Sequence, residues 1–156
     1  SAINSVGAIP VACDIGFDGL IDTTKIEELI TNKTKAIMPT QLNGLCSDMN
    51  SIKLLCEKYK LKIIEDSCQG MGVFYEGIHA GLFGIAGSLS FFPAKTLGCF
   101  GDGGAVLTNN KWISEKIKKL RNHGRDDEGL VNEWGINGRL DNIQSIVLNI
   151  KLQNIF

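Results

Sequence analysis

An α/β fold, built on a mainly parallel but mixed sheet with flanking helices, is predicted by three features of this 156-residue sequence. Compact apolar runs at 35–39 and 60–66 alternate with amphipathic segments at 24–30 and 47–59. That order implies right-handed strand–helix–strand crossovers and parallel pairing. Beyond Gln69 the texture changes to dense glycine, which permits positive φ and close backbone approach, and to short strands. Lastly, the run 60–66 closes on an acid, Asp66, and a later strand is followed at once by Lys95. In open α/β sheets ligands bind beyond the carboxyl ends of strands, so both residues fall on the ligand side.

Taken in order, residues 9–15 read as a short strand, with Asp18-Gly19 as the turn that follows. Thr24 and Glu27 stand at capping-box spacing, so a helix is expected from Thr24 to about Ile30, with Ile26, Leu29 and Ile30 on one face. Residues 35–39 form a buried strand, and Gln41-Leu42-Asn43-Gly44 the loop at its carboxyl end. Ser47 or Asp48 caps the next helix, whose apolar stripe is Met49, Ile52, Leu55 and Cys56. After the strand 60–66, short strands are predicted at 72–75, 88–92 and 105–108. Gly101-Asp102-Gly103-Gly104 lacks the lysine–hydroxyl ending of a nucleotide-binding loop and precedes a strand instead of a helix, so it reads as a turn that positions Lys95. Asn109 or Asn110 caps a helix over 111–122, whose Lys116, Lys118 and Lys119 suit the negative end of the helix dipole. A polar loop over 124–138 leads to a final helix over 140–153.

Composition narrows the function classes. The chain is 44% hydrophobic and 21% charged with a net charge of −1. This balance argues against nucleic acid or an anionic membrane surface as partner. No apolar run is long enough to span a bilayer. Five cysteines, an odd number without CxxC spacing, and two histidines argue against a zinc site and for free thiols in a reducing, cytoplasmic setting. Cys68, beside Asp66, has a reactive-thiol reading as well as a structural one.

Lys95 follows the strand 88–92, with Ser88 and Ser90 behind it and glycines ahead. Its rival reading is a surface lysine in a hairpin. A lysine amine becomes nucleophilic when desolvated, the basis of Schiff-base chemistry. With a carboxylate at the end of an earlier strand, it meets the two requirements of pyridoxal 5′-phosphate: an amine for the imine and an acid for the pyridine nitrogen.

Six segments carry a resemblance over essentially the whole chain. They are Ile64-Glu65-Asp66-Ser67-Cys68-Gln69, Gly81-Leu82-Phe83-Gly84, Ser90-Phe91-Phe92-Pro93-Ala94-Lys95, Gly101-Asp102-Gly103-Gly104-Ala105, Leu120-Arg121-Asn122-His123-Gly124 and Gly135-Ile136-Asn137-Gly138-Arg139-Leu140-Asp141. In this order and near this spacing the chain resembles the DegT/DnrJ/EryC1/StrS sugar aminotransferases, pyridoxal-phosphate enzymes of fold type I with a three-layer αβα large domain. The resemblance implies that Lys95 is the Schiff-base lysine, Asp66 the partner of the pyridine nitrogen, Gln69 the residue against the ring or its hydroxyl, and Ser90 a phosphate ligand. Asn137 would reach the phosphate of a neighbouring subunit across a homodimer interface. The turn-residue reading of Asn137-Gly138 and the structural-hydroxyl reading of Ser90 stay open.

The same resemblance implies amino transfer, from glutamate, to a nucleotide-linked keto-sugar through a pyridoxamine phosphate intermediate, feeding polysaccharide or glycosylated-metabolite synthesis. Lysine at position 95, where related dehydratases carry histidine, favours transamination over a dehydratase or lyase reaction. A non-catalytic role is the remaining alternative. Gln41 and Asn43 depart from the histidine and tyrosine frequent in the family, which puts substrate contacts there in doubt. Residues 1–156, which open without Met, are expected to be part of the large domain, with an N-terminal segment and a smaller C-terminal domain outside them.

Overall fold

The computed structural model describes residues 1–155. Its central sheet has four strands: β1 (Ala36–Ile37), β2 (Lys62–Asp66), β5 (Ala86–Ser90) and β6 (Gly104–Leu107), in the spatial order β1-β2-β5-β6. The pairs β1–β2 and β2–β5 are parallel, and β5–β6 is antiparallel. The sheet is therefore mostly parallel and mixed, as predicted. Strands β3 (Phe74–Tyr75) and β4 (Ile78–His79) form a separate antiparallel hairpin, turned through Glu76 and Gly77, both at positive φ.

Helix α3 (Met49–Tyr59) begins where Asp48 accepts the Ser51 amide at 3.2 Å, which settles the choice between the two candidate caps. It ends as Lys60 turns left-handed at φ 54° and donates its N–H to Cys56 and Glu57 carbonyls. The apolar stripe then faces the sheet: Met49, Ile52 and Cys56 are buried with Ile26, Ile37 and Ile63 in the larger of two core clusters, and Leu55 lies against it. Strand β2 alternates, burying Ile63 and Glu65 and leaving Ile64 part-exposed. A second, smaller cluster joins Leu97, Cys99 and Leu148, the last from α5 (Asn142–Leu152). Helix α4 (Lys111–Leu120) starts at Asn110, whose side chain accepts the Ile113 amide, and its Lys116 pairs with Glu133.

Several local expectations are corrected. Residues 9–15 form no strand; the one pairing there is a bridge between Ile15 and Ile21 around the Gly19 turn. No described strand lies alongside to take their backbone groups, and Ile9 stays 87% exposed. The Thr24–Glu27 capping box does not form. Asp22, two residues earlier, accepts the Thr24 amide and hydroxyl, so helix α2 (Thr23–Ile26) starts sooner and tightens into a 3-10 turn over Glu27–Leu29. A four-residue helix, α1 (Ala2–Ser5), opens the chain. Strand β5 stops at Ser90 instead of continuing to Phe92, because the Cys99 amide donates to the Phe91 carbonyl and turns the chain out of the sheet.

Candidate active site at the carboxyl ends of the parallel strands

The pairing that starts in β1–β2 continues past β1 as a parallel bridge between Thr40 and Asp66. Gln41 donates its N–H to the Asp66 carbonyl at 2.8 Å, and Asp66 donates its own to Pro39 at 3.0 Å. These bonds fix Asp66 at the strand end, where it stands in register with Ser88 of β5. Its Oδ1 accepts the Cys68 amide at 3.2 Å in an Asx-type turn. The chain then turns tightly, Gly70 donating to the Ser67 carbonyl, and swings Gln69 over the strand ends.

A cavity of about 420 Å³ opens there, lined among others by Asn43, Cys68, Gln69, Ser90 and Lys95. That volume lies within the roughly 300–1,000 Å³ usual for small-ligand sites. Lys95 is half-buried and makes no ion pair among the described residues. Its backbone is held by a turn in which its N–H donates to the Phe92 carbonyl at 2.9 Å. Gln69 Oε1 accepts the Asn43 amide at 3.0 Å, which leaves the side-chain NH₂ to donate elsewhere. Ser90 Oγ accepts the Phe92 amide at 3.3 Å, which leaves its hydroxyl proton available in the same way. Of the sequence-predicted residues, Lys95, Gln69 and Ser90 thus share one cavity. Asp66 stands at its edge through Cys68. Asn137 does not join them: it is exposed on the 122–138 loop, bridged to Asn122, and its Oδ1 accepts Arg139 Nε at 3.0 Å.

Sequence reasoning passed over Glu65, the one carboxylate buried among the described residues. Fully enclosed on the opposite face of β2 from Asp66, it accepts N–H groups from Gly81 and Phe83 at 2.7 Å and from Gly84 at 3.1 Å. Its fourth donor is Gln41 Nε2 at 3.1 Å, and Gln41 Oε1 in turn accepts the Ser47 amide at 2.8 Å. Gln41 is therefore buried structure and not a substrate contact. It closes the loop whose Asn43, at φ 54°, reaches Gln69. The available signal was the strand's alternation, which puts Glu65 in phase with buried Ile63.

The cysteines are free. Burial pushes the Cys68 thiol above its ordinary value, opposed by its contact with the Ser88 hydroxyl at 3.4 Å. Burial, aided by the Glu65 charge, pushes Cys46 up to about 11. Cys68 is accordingly a wall residue and not a poised thiolate. No group of three or more metal-ligating side chains occurs among the described residues, and none of their helices is long and apolar enough to cross a membrane.

A mostly parallel sheet with a half-buried lysine and a carboxylate at its strand ends is the architecture of the pyridoxal-phosphate aminotransferases. Solved structures superpose closely: S. venezuelae DesV, in complex with a ketimine intermediate, matches with a TM-score of 0.93 and 37% identity over 99% of this chain and 42% of its own. The Bacillus subtilis protein ntda, with bound cofactor pmp, matches with a TM-score of 0.87 and 35% identity over 99% of this chain and 35% of its own. The chain belongs to the DegT/DnrJ/EryC1/StrS aminotransferase family, whose model matches residues 1–155. Among curated relatives, it is 46% identical over 152 residues to the dTDP-3-amino-3,6-dideoxy-alpha-D-galactopyranose transaminase of Aneurinibacillus thermoaerophilus, covering 97% of this chain and 42% of that protein. The chain thus spans less than half the length of the relatives it matches. Aminotransferases of this family depend on pyridoxal 5′-phosphate.

Proposed function

We propose that this chain is part of the cofactor-binding large domain of an aminotransferase that moves an amino group, from glutamate, to the keto carbon of a nucleotide-linked sugar. The observation that carries this reading is the convergence of an amine, an amide donor and a hydroxyl donor on one cavity at the carboxyl ends of parallel strands. That donor set fits pyridoxal 5′-phosphate. Ser90 Oγ would donate to the phosphate, Gln69 Nε2 to the ring hydroxyl, and the Asp66 carboxylate would accept a hydrogen bond from the pyridinium N–H and so keep that proton on the ring. Lys95 Nζ would hold the cofactor aldehyde covalently. When bound, the cofactor supplies an electron sink next to the carbon that carries the amine. Once an incoming amine displaces it, Lys95 Nζ becomes the base that takes a proton from the substrate carbon and returns it. Asn137, outside the cavity, is assigned to the phosphate of a partner's site in a homodimer. Curated relatives named as dTDP-sugar transaminases support the substrate class, and the free thiols suit a cytoplasmic setting.

Borohydride reduction of the chain mixed with pyridoxal 5′-phosphate, followed by peptide mass mapping, tests the site. The expected result is an adduct concentrated on Lys95. Adducts spread evenly over the surface lysines would overturn the assignment.

A further inference from the structure

The loop that carries Lys95 leaves β5 at Ser90 and re-enters the sheet at Gly104, and most of it lies outside the larger core. What holds it is one face of α5. Gln144, Leu148 and Lys151 follow at spacings of four and three, so they line a single helix stripe. Each grips the loop. Gln144 Oε1 accepts the Phe100 amide at 2.8 Å. Leu148 is buried against Leu97 and Cys99. Lys151 Nζ donates to the Gly98 carbonyl at 2.5 Å. Gly98 admits no side chain, since a Cβ there would lie 2.5 Å from the Pro93 carbonyl, so the segment that bears Lys95 is folded back on itself at the point Lys151 holds.

We propose that Gln144 and Lys151 are positioning residues that set where the Lys95 amine sits in the cavity. They act through the loop backbone and do not touch a ligand. The lysine's role in holding the cofactor rests on the function proposed above; the brace itself does not. A charge-assisted hydrogen bond to a carbonyl is roughly twice as strong as a neutral one, and the Gly98 it holds is buried. Losing it raises the population of the lifted loop while the sheet and α3 stay closed.

The test compares the unsubstituted chain with Lys151→Met, Lys151→Arg and Gln144→Leu. The first readout is the rate at which a small thiol reagent labels Cys99, which the loop carries buried in the smaller cluster, relative to Cys56, which α3 carries buried in the larger one. Lys151→Met should raise Cys99 labelling about tenfold, the scale of one lost charge-assisted bond on a local opening equilibrium, with Cys56 unchanged. Gln144→Leu should raise it less, and Lys151→Arg, which keeps a cationic donor, should restore protection. The second readout is the share of borohydride-trapped pyridoxal 5′-phosphate found on Lys95. It should fall in Lys151→Met and recover in Lys151→Arg. Cys99 and Cys56 rising together, or neither rising, would overturn the brace. If the unsubstituted chain traps nothing on Lys95 while Cys99 still responds as described, the cofactor reading fails and the brace stands.

Discussion

The two core clusters hold their surroundings by different means. Under α3, Ile26, Ile37, Met49, Ile52, Cys56 and Ile63 pack helix against strand, and apolar burial does the work. The Lys95 loop has the smaller cluster, its own Leu97 and Cys99 with Leu148 of α5, and polar contacts hold it: Phe100 to Gln144 and Gly98 to Lys151 across to α5, and Cys99 to Phe91 within the loop. Burial is non-directional and tolerates small shifts, whereas hydrogen bonds fix one position to a few tenths of an ångström. A frame can be built from the first; a lysine that must meet a ligand atom needs the second.

Three substitutions sharpen or break this contrast. The largest effect belongs to the frame. Ile52→Ala removes a fully buried side chain and should cost about 2–5 kcal/mol, read as a lower urea midpoint with the slope unchanged. A loss below ~1 kcal/mol would mean that α3 is not the organising layer. Next comes the loop. Gly98→Ala sets a Cβ against the Pro93 carbonyl and should cost about 1–3 kcal/mol of strain. It should also cut Lys95 trapping more sharply than Ile52→Ala does at matched folded fraction. Equal effects on trapping would erase the distinction between frame and loop.

The smallest effect lies at the α3 cap, which belongs to the frame but is polar. The Ser51 hydroxyl and then the Ser51 amide hold the Asp48 carboxyl below its usual range. Because the folded-state value is depressed, the cap's contribution is complete above the unfolded value, near pH 4, and is lost as pH falls through the folded one. Asp48→Ala should cost roughly 0.5–2 kcal/mol, towards the low end for so exposed a group. The gap in urea midpoint between it and the unsubstituted chain should be flat from about pH 8 to pH 5 and close towards about pH 3. A gap that widens on acidification would show that the cap is not carried by the charged carboxylate.

The regular part of the fold was legible because periodicity reports it. The 3.6-residue stripe of α3 and the compact runs at β1 and β2 follow from burial on one face, and the structure places them within a residue or two. Residues 9–15 misled because an apolar run looks the same whether or not a neighbouring strand exists to pair with it. Asp22 was missed as a cap because Thr24-Glu27 offered a complete motif two residues later, and only the three-dimensional path of the turn decides between them. Lys95, Gln69 and Ser90 could be placed together because the parallel topology sends the ends of β2 and β5 to one edge. Glu65 shows the limit. Its four donors come from Gln41 and from the 81–84 segment, and no local pattern announces that convergence. The brace from α5 joins positions 44 and 53 residues apart, which sequence spacing alone does not expose.

Strands β5 and β6 are neighbours in the chain as well as in the sheet, paired from Gly87–Leu107 to Ser90–Gly104. The connection between them is therefore a closed loop on a clamped base, and its two ends stay a fixed distance apart whatever lies between. The entropic cost of lengthening such a loop grows only with the logarithm of its length. The register of the strands thus does not depend on the residues between Phe92 and Gly103, whereas the place of Lys95 does, through Gly98 and the two contacts to α5. The sheet fixes where the loop begins and ends, and α5 fixes where it goes between.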